Sequence, residues 1–266
     1  MQNAASSTGP TLRHVPDFQL RLAADVAEVR AAQRLRYRVF VDELGGGGPM
    51  VDHAEGLEAD SHDDWVDHLL LLDRALPGDA ADQVVGVYRL LRADQATRAG
   101  RFYSESEYDL TPLRQSGRTL LELGRSCVDA RYRGGKALMH LWQGLGAYVE
   151  EHGIDLLFGV ASFHGTDVTA LAEPLSLLHH RHLAPPEMRP RSLRHQPMDL
   201  IAPEALDRRR AMVQVPPLIK AYLRLGGYVG DGAYIDGDFN TVDVCLVMDT
   251  ERLGAGHRAL YAADRG

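Results

Sequence analysis

Cysteine is scarce in this chain, lysine nearly absent, and no long apolar run occurs; the first and last of these shortages narrow what it does. Cys127 and Cys245 are the 2 cysteines among 266 residues, too few for the disulfide framework of a small secreted domain. Basic charge also falls short: 29 Lys+Arg stand against 37 Asp+Glu, a formal net charge of −8. General nucleic-acid binders show the opposite balance. Among the basic residues only Lys136 and Lys220 are lysine, a compositional bias from which no function follows. The longest obvious apolar stretch, Leu156 to Phe163, is far shorter than the roughly 18 residues a bilayer requires. Met1–Pro10 lacks the basic and apolar regions of a signal peptide. The expectation is a cytoplasmic protein whose membrane contact is at most peripheral.

What is present is an ordinary folding composition, 45% hydrophobic and 25% charged. Residues 1–16 and 251–266 read as a loose arm and tail, and 17–250 as a single domain. Leu22, Val26, Val29, Ala32, Leu35 and Val39 recur every three or four residues, which predicts a helix from about Phe18 to Phe40. The stretch 42–67 holds nine acids and no Lys or Arg; it reads as a polar loop outside the core. Val66–Asp73 and Val84–Leu91, separated by Pro77-Gly78-Asp79, read as a hairpin. Thr119–Val128 reads as a strand, 136–151 as an amphipathic helix ended by Gly153, and Ile154–Ala161 as a strand. A helix over Thr166–His182, a Pro- and Arg-rich connection over 183–203, a helix over Val215–Leu225 and a strand over Val242–Met248 complete the order. The fold class is α/β (α+β), a mixed sheet flanked by helices.

Chemistry concentrates in 121–137. A strand enters Arg131-Tyr132-Arg133-Gly134-Gly135-Lys136 and then a helix at once. The free N–H groups and positive dipole end of such a helix, with glycines allowing close approach, suit a phosphate. Within the strand, Glu122 and Arg125 are three apart, so a regular two-residue period sends them to opposite faces. Gly124 between them marks a site for a β-bulge, which would turn both to one side. Arg89 lies between apolar neighbours and needs a buried carboxylate partner such as Glu122. Asp60, Asp63 and Asp64 offer an ammonium or metal site, against the simpler reading of a solvated loop. His179-His180-Arg181-His182 lacks any metal-binding spacing, so no metal is expected.

The run from Arg36 through Val39 and Phe40, the acids at 60–64, VVGVYRLL at 84–91, LELGRSCV at 121–128 and RYRGGKALMHLW at 131–142 occur in the order found in the ornithine-acyl-carrier-protein N-acyltransferases. The chain resembles that family over about residues 20–250, and through it the GNAT superfamily and the acyl-homoserine-lactone synthases. The resemblance implies a mixed sheet splayed at a bulged strand, with a phosphopantetheine arm lying between Thr119–Val128 and Ile154–Ala161. Lys136 stands where the superfamily turn has a small residue, which fits the phosphodiester of a carrier protein better than coenzyme A. Gly45–Gly48 replaces the tryptophan of the lactone synthases, which favours ornithine over S-adenosylmethionine as acceptor.

The resemblance further implies a site made of Arg36, Phe40, Asp60, Asp63, Arg89, Glu122 and Arg125. A 3-hydroxyacyl group would pass from acyl carrier protein to the α-amino group of L-ornithine, giving lyso-ornithine lipid; the cofactor, 4′-phosphopantetheine, arrives on the carrier. Glu122 is the expected base, Arg125 and Arg89 hold it or the substrate carboxylate, and N–H groups near Ser126 and Cys127 meet the oxyanion. Asp60 or Asp63 would take the δ-ammonium. Arg131, Arg133, Gly134, Gly135 and Lys136 would receive the carrier, with Arg189, Arg191, Arg194 and Arg208–Arg210 widening the basic face. A product of this kind is an amphiphile, so transient contact with the inner membrane leaflet is expected. The alternatives are a lactone synthase, another carrier-dependent N-acyltransferase, or a non-catalytic acyl-carrier or lipid-binding module.

Overall fold

A computed structural model of the chain describes residues 14–134 and 136–252; residues 1–13 of the expected arm, 253–266 of the expected tail, and Gly135 lie outside the described residues. The first described segment is already tied down: His14 bonds Asp73, and the Asp17 N–H donates to Asp73 Oδ1 at 2.9 Å. Phe18–Leu22 forms strand β1 rather than the first turns of the expected helix. Phe18 and Leu20 face the core at a period of two, while Leu22 and Val26, both on the expected apolar helix face, are exposed. Helix α1 starts only at Val26, where the Asp25 side chain accepts from the Glu28 N–H at 3.0 Å and caps it, and runs to Arg36. It continues as a π-helical segment, Tyr37–Glu43.

Two short strands, β2 (Val51–Asp52) and β3 (Leu57–Glu58), pair within the acidic stretch. There follow β4 (Asp67–Asp73), β5 (Val84–Arg92), helix α2 (Ala93–Ala99), β6 (Tyr108–Asp109) and α3 (Thr111–Arg114). The second half holds β7 (Leu120–Val128), α4 (Lys136–His152), β8 (Leu156–His164), α5 (Ala172–His182), β9 (Arg191–Ser192), α6 (Arg208–Gln214), α7 (Pro217–Arg224), β10 (Tyr228–Val229), β11 (Tyr234–Asp236) and β12 (Thr241–Asp249). Helix α5 begins six residues later than expected, and Pro174 then falls in its first turn, where a missing N–H costs nothing.

The main sheet runs β1-β4-β5-β7-β8-β12-β10, with β11 also on β12. Only the β7–β8 pair is parallel among its described pairings; the others are antiparallel. The hairpin is β4–β5. Both faces of β4 are apolar because both are covered: Leu69 and Leu71 pack with Leu141, Leu145 and Tyr148 of α4, whereas Leu70 and Leu72 pack with Ala32 and Leu35 of α1. The sheet is thus a filled middle layer, and only an interruption in it leaves room for a ligand.

Candidate active site

The interruption lies between β7 and β8. Their parallel pairing covers Leu120–Leu156, Leu121–Leu157 and Glu122–Phe158, and then stops. On the other side of β7, Val87 pairs with Cys127 but Arg89 pairs with Gly124, so Arg125 and Ser126 together oppose Tyr88 alone. This is the expected bulge. Arg125 takes the left-handed φ of 49°, a conformation rare outside glycine. The extra residue reverses the facing of the rest of β7. Cys127, not Ser126, packs against Ala32 and Leu35 under α1, while Glu122 and Arg125 both reach the Tyr103–Ser104 segment. Glu122 accepts from the Tyr103 N–H at 2.7 Å and the Ser104 N–H at 2.6 Å. The Arg125 guanidinium lies 4.5 Å from the Tyr103 ring centroid.

Three arginines and three acids lock the bulge to α1. Arg36 bonds Glu58 and donates to Asp63 Oδ1 at 2.7 Å. Arg89 donates to Asp60 Oδ2 at 2.7 Å and Asp63 Oδ1 at 3.2 Å. Arg125 Nε donates to Glu58 Oε1 at 2.9 Å. These pairs correct several expectations. Segment 42–67 is not wholly outside the core, since Glu58, His62 and Asp63 are buried. Arg89 pairs with Asp60 and Asp63 rather than with Glu122. Arg36 is thus a buried strut between Glu58 and Asp63, and both Asp60 and Asp63 are paired with arginine. Their arginines hold the Asp60 and Asp63 carboxyls below the usual carboxylate range despite burial.

Beside the bulge opens a cleft of ≈ 320 Å³ whose lining includes Phe40, Arg89, Glu122, Arg125 and Ser126 from the expected set. Cys127 is absent from its wall, and burial pushes its thiol up to about 12, so it packs as a neutral thiol. Burial likewise raises Glu122, with the amides of Tyr103 and Ser104 pulling the other way. Beyond Phe158, β8 keeps β12 on one side and turns Gly159, Val160, Ala161 and Ser162 toward the cleft. A Cβ at Gly159 would run into the Leu123 carbonyl oxygen, which is where β7 leaves β8.

Glu107, Asp236 and Asp243 also line the cleft, and none of them belongs to the expected set. One carboxylate oxygen of each lies within 4.8 Å of the others. A sequence signal for Asp243 exists: it is the one charge inside the apolar run from Val242 to Met248. Glu107, in a polar stretch, gives none.

The turn before α4 carries Gly134 at φ 76°, which only glycine adopts cheaply. Arg131 pairs with Asp129 at 3.0 Å, Arg133 with Glu43 at 2.6 Å, and Lys136 opens the helix exposed. In the wider basic face Arg191 lies 3.7 Å from Asp231 and Arg210 2.9 Å from Glu173. In the histidine run, His180 Nε2 bonds the Ile201 carbonyl at 2.9 Å. Among the described residues no helix is long and apolar enough to cross a membrane.

Comparison with known proteins accords with this geometry. Residues 35–143 match the acetyltransferase (GNAT) domain model. Among solved structures, a CoA-dependent acyl-homoserine lactone synthase, BjaI, aligns over 92% of this chain and 89% of its own with a TM-score of 0.51 at 13% identity. The acyl-homoserine lactone synthase LasI aligns over 94% and 96% with a TM-score of 0.50 at 15% identity. These likenesses carry the fold. The sequence relatives go further: the chain is 59% identical over 244 residues (92% of this chain, 94% of the relative) to an L-ornithine N(alpha)-acyltransferase of Rhodobacter capsulatus. It is 43% identical over 265 residues (98% and 94%) to one of Brucella abortus. With a splayed sheet, a bulged strand and relatives at this identity over nearly its whole length, the chain belongs to the L-ornithine N(alpha)-acyltransferase family of GNAT-fold acyltransferases.

Proposed function

We propose that the protein transfers a 3-hydroxyacyl group from acyl carrier protein to the α-amino group of L-ornithine, releasing lyso-ornithine lipid and free carrier. The parting of β7 from β8 after the Glu122–Phe158 pair carries this reading, because it leaves one edge of β8 without a strand partner beside a bulge. An amide-bearing pantetheine arm is an extended chain and pairs with such an edge as a strand does. Its phosphodiester would lie at the turn holding Gly134 and Lys136, where the N-terminus of α4 favours an anion.

In the reaction the α-ammonium first loses a proton. Glu122 is the proposed acceptor: it is buried in the cleft, its carboxyl is raised, and the donors on Tyr103 and Ser104 leave part of its acceptor capacity free. The amine attacks the thioester carbon, a C–N bond forms, and the C–S bond breaks as the second amine proton and the departing thiolate make a thiol. The Ser126 N–H, at the register shift, is the proposed oxyanion donor, a role worth roughly 3–4 kcal/mol in comparable sites. Cys127 is back in register with Val87, so the donor is assigned to Ser126 rather than to both. The acidic carrier would dock on the face bearing Arg131, Arg133 and Lys136, and the amphiphilic product would pass to the inner membrane leaflet. Incubation of the purified chain with 3-hydroxyacyl carrier protein and either L-ornithine or S-adenosylmethionine tests the reading. Mass spectrometry should find an amide-linked acyl-ornithine; a lactone, or no thiol release with either amine, would refute it.

A further inference from the structure

We propose that Glu107, Asp236 and Asp243 form the subsite that receives the side-chain ammonium of ornithine. The proposal rests on the ornithine reading above and adds which residues select that amino acid. The three come from separate places, Glu107 just before β6, Asp236 at the end of β11 and Asp243 in β12, yet converge within 4.8 Å on the wall of the cleft that holds Glu122. Glu107 and Asp243 are 4% and 3% exposed. Among the described residues, Glu107 Oε2 and Asp243 Oδ1 are buried with no hydrogen-bond partner. A buried carboxylate oxygen without a donor is costly and rare in a folded protein, so this cluster is built for a donor that arrives from outside.

The surrounding charges define that donor. Glu58, Asp60 and Asp63 are consumed by Arg36, Arg89 and Arg125, and Glu122 is held by two backbone amides. Besides Glu122, the trio is the group of carboxyls in the cleft that no arginine pairs with among the described residues, and a cation entering it favours their ionised form. The cleft's walls include Leu91, Phe158 and Phe239, suited to the methylenes that precede a terminal amine. A hard divalent ion fits less well: it takes six or more oxygens, whereas Asp236 already spends Oδ1 on the N–H groups of Asp238 and Phe239. Burial and mutual repulsion raise both Glu107 and Asp243, with the Ser162 and Thr241 hydroxyls partly offsetting this at Asp243. A bound cation relieves that repulsion.

The subsite also accounts for which nitrogen reacts. An ammonium enclosed by carboxylates is held in its protonated form and cannot attack a thioester. The α-amino group, whose ordinary pKa lies below that of a side-chain amine, is left as the nucleophile.

The test compares L-ornithine with L-norvaline, which keeps the three-carbon side chain and lacks the terminal amine. The wild-type protein should prefer ornithine in kcat/KM by at least about 10²-fold, as a site with buried polar groups rejects an analogue that cannot pair them. Glu107→Gln and Asp243→Asn should each reduce that ratio at least about tenfold, and each should melt no lower than the wild type. Should either variant fail to fold, the wild type alone decides: ornithine without acyl donor must raise its melting temperature and norvaline must not. An unchanged ratio in folded variants, or equal thermal shifts, overturns the subsite while leaving ornithine acylation standing. Absence of any acyl-ornithine from the wild type overturns the acylation reading instead. A thermal shift by MgCl2 or MnCl2 that Asp243→Asn abolishes, with the ornithine preference retained, makes the trio a metal site and also overturns the proposal.

Discussion

Glu58 and Arg125 join the hairpin of the acidic stretch to the bulge: Glu58 Oε1 accepts from Arg125 Nε at 2.9 Å while the other oxygen is held by Arg36 of α1. The left-handed residue that shapes the cleft is therefore anchored through one buried carboxylate to the helix on the far side. Among the described residues the next acid to Arg125 is Asp60, 3.5 Å away.

Glu58→Gln should for that reason cost about 3–5 kcal/mol, the range for removing one member of a buried ion pair. In a chain of this size that lowers the melting temperature by roughly 2–4 °C per kcal/mol. Urea unfolding checks it, and a loss under about 1 kcal/mol would mean the bulge is held by other contacts.

The same network fixes a pH dependence whose sign is determined. Asp60 and Asp63 have folded-state carboxyls below the ordinary value, so their contribution is complete above about pH 4, the unfolded aspartate range, and is lost as pH falls below it. Glu107 and Asp243 act oppositely. Their carboxyls, faced by Asp236 on β11, Glu122 on β7 and the Arg125 guanidinium, are raised, so the free protein loses stability as pH climbs above the ordinary carboxylate range. The melting temperature of the ligand-free protein should peak in mildly acidic buffer and decline toward pH 9. Glu107→Gln should flatten the alkaline side and Asp63→Asn the acid side; identical curves for all three proteins would contradict both assignments.

Much of this architecture is legible in the residues, and the exceptions have physical causes. Strands β4, β5, β7 and β12 and helix α4 are readable because long apolar periods report burial directly. β1 is mistaken for helix because Leu22 and Val26 continue the three-and-four spacing of α1 by coincidence, though both are exposed. The bulge is readable from Gly124 and the Glu122–Arg125 spacing. Which acid pairs with which arginine is not, since Arg36, Glu58 and Arg125 are far apart in the chain and meet only through the fold. The acidic trio escapes for the same reason, its members lying on three separate segments.

The basic turn gives a prediction about the carrier. Arg131 and Arg133 are exposed but already paired to Asp129 and Glu43, so their attraction for an acidic partner is partly spent. Reversing both to Glu should still raise the KM for acyl carrier protein roughly tenfold, more at low salt, and spare that for ornithine. A carrier KM that does not move would place the docking face elsewhere.

Gly159 offers a steric test of the splay. A methyl group there meets the backbone oxygen of Leu123, and a backbone atom gives way only if β7 itself shifts. Gly159→Ala should destabilise the protein by about 1–3 kcal/mol and lower kcat/KM for the acyl donor at least about tenfold. Donor kinetics at wild-type level would show that the arm does not run along this part of β8.

Glu122 is held by two donors at once, and that separates a base from a strut. Glu122→Gln leaves one oxygen for the Tyr103 and Ser104 N–H groups and turns an NH2 toward the other, costing about 1–3 kcal/mol of stability on structural grounds alone. A base adds a kinetic signature. Because its carboxyl is raised and a base works deprotonated, wild-type kcat should climb with pH along a limb centred above the ordinary glutamate value of about 4.3. In Glu122→Gln kcat should fall roughly 10²–10⁴-fold and that limb should vanish. A variant that melts lower but keeps both its kcat and its pH limb would make Glu122 the peg that holds Tyr103 over the cleft, and the proton acceptor would have to be sought among the other acids that line it.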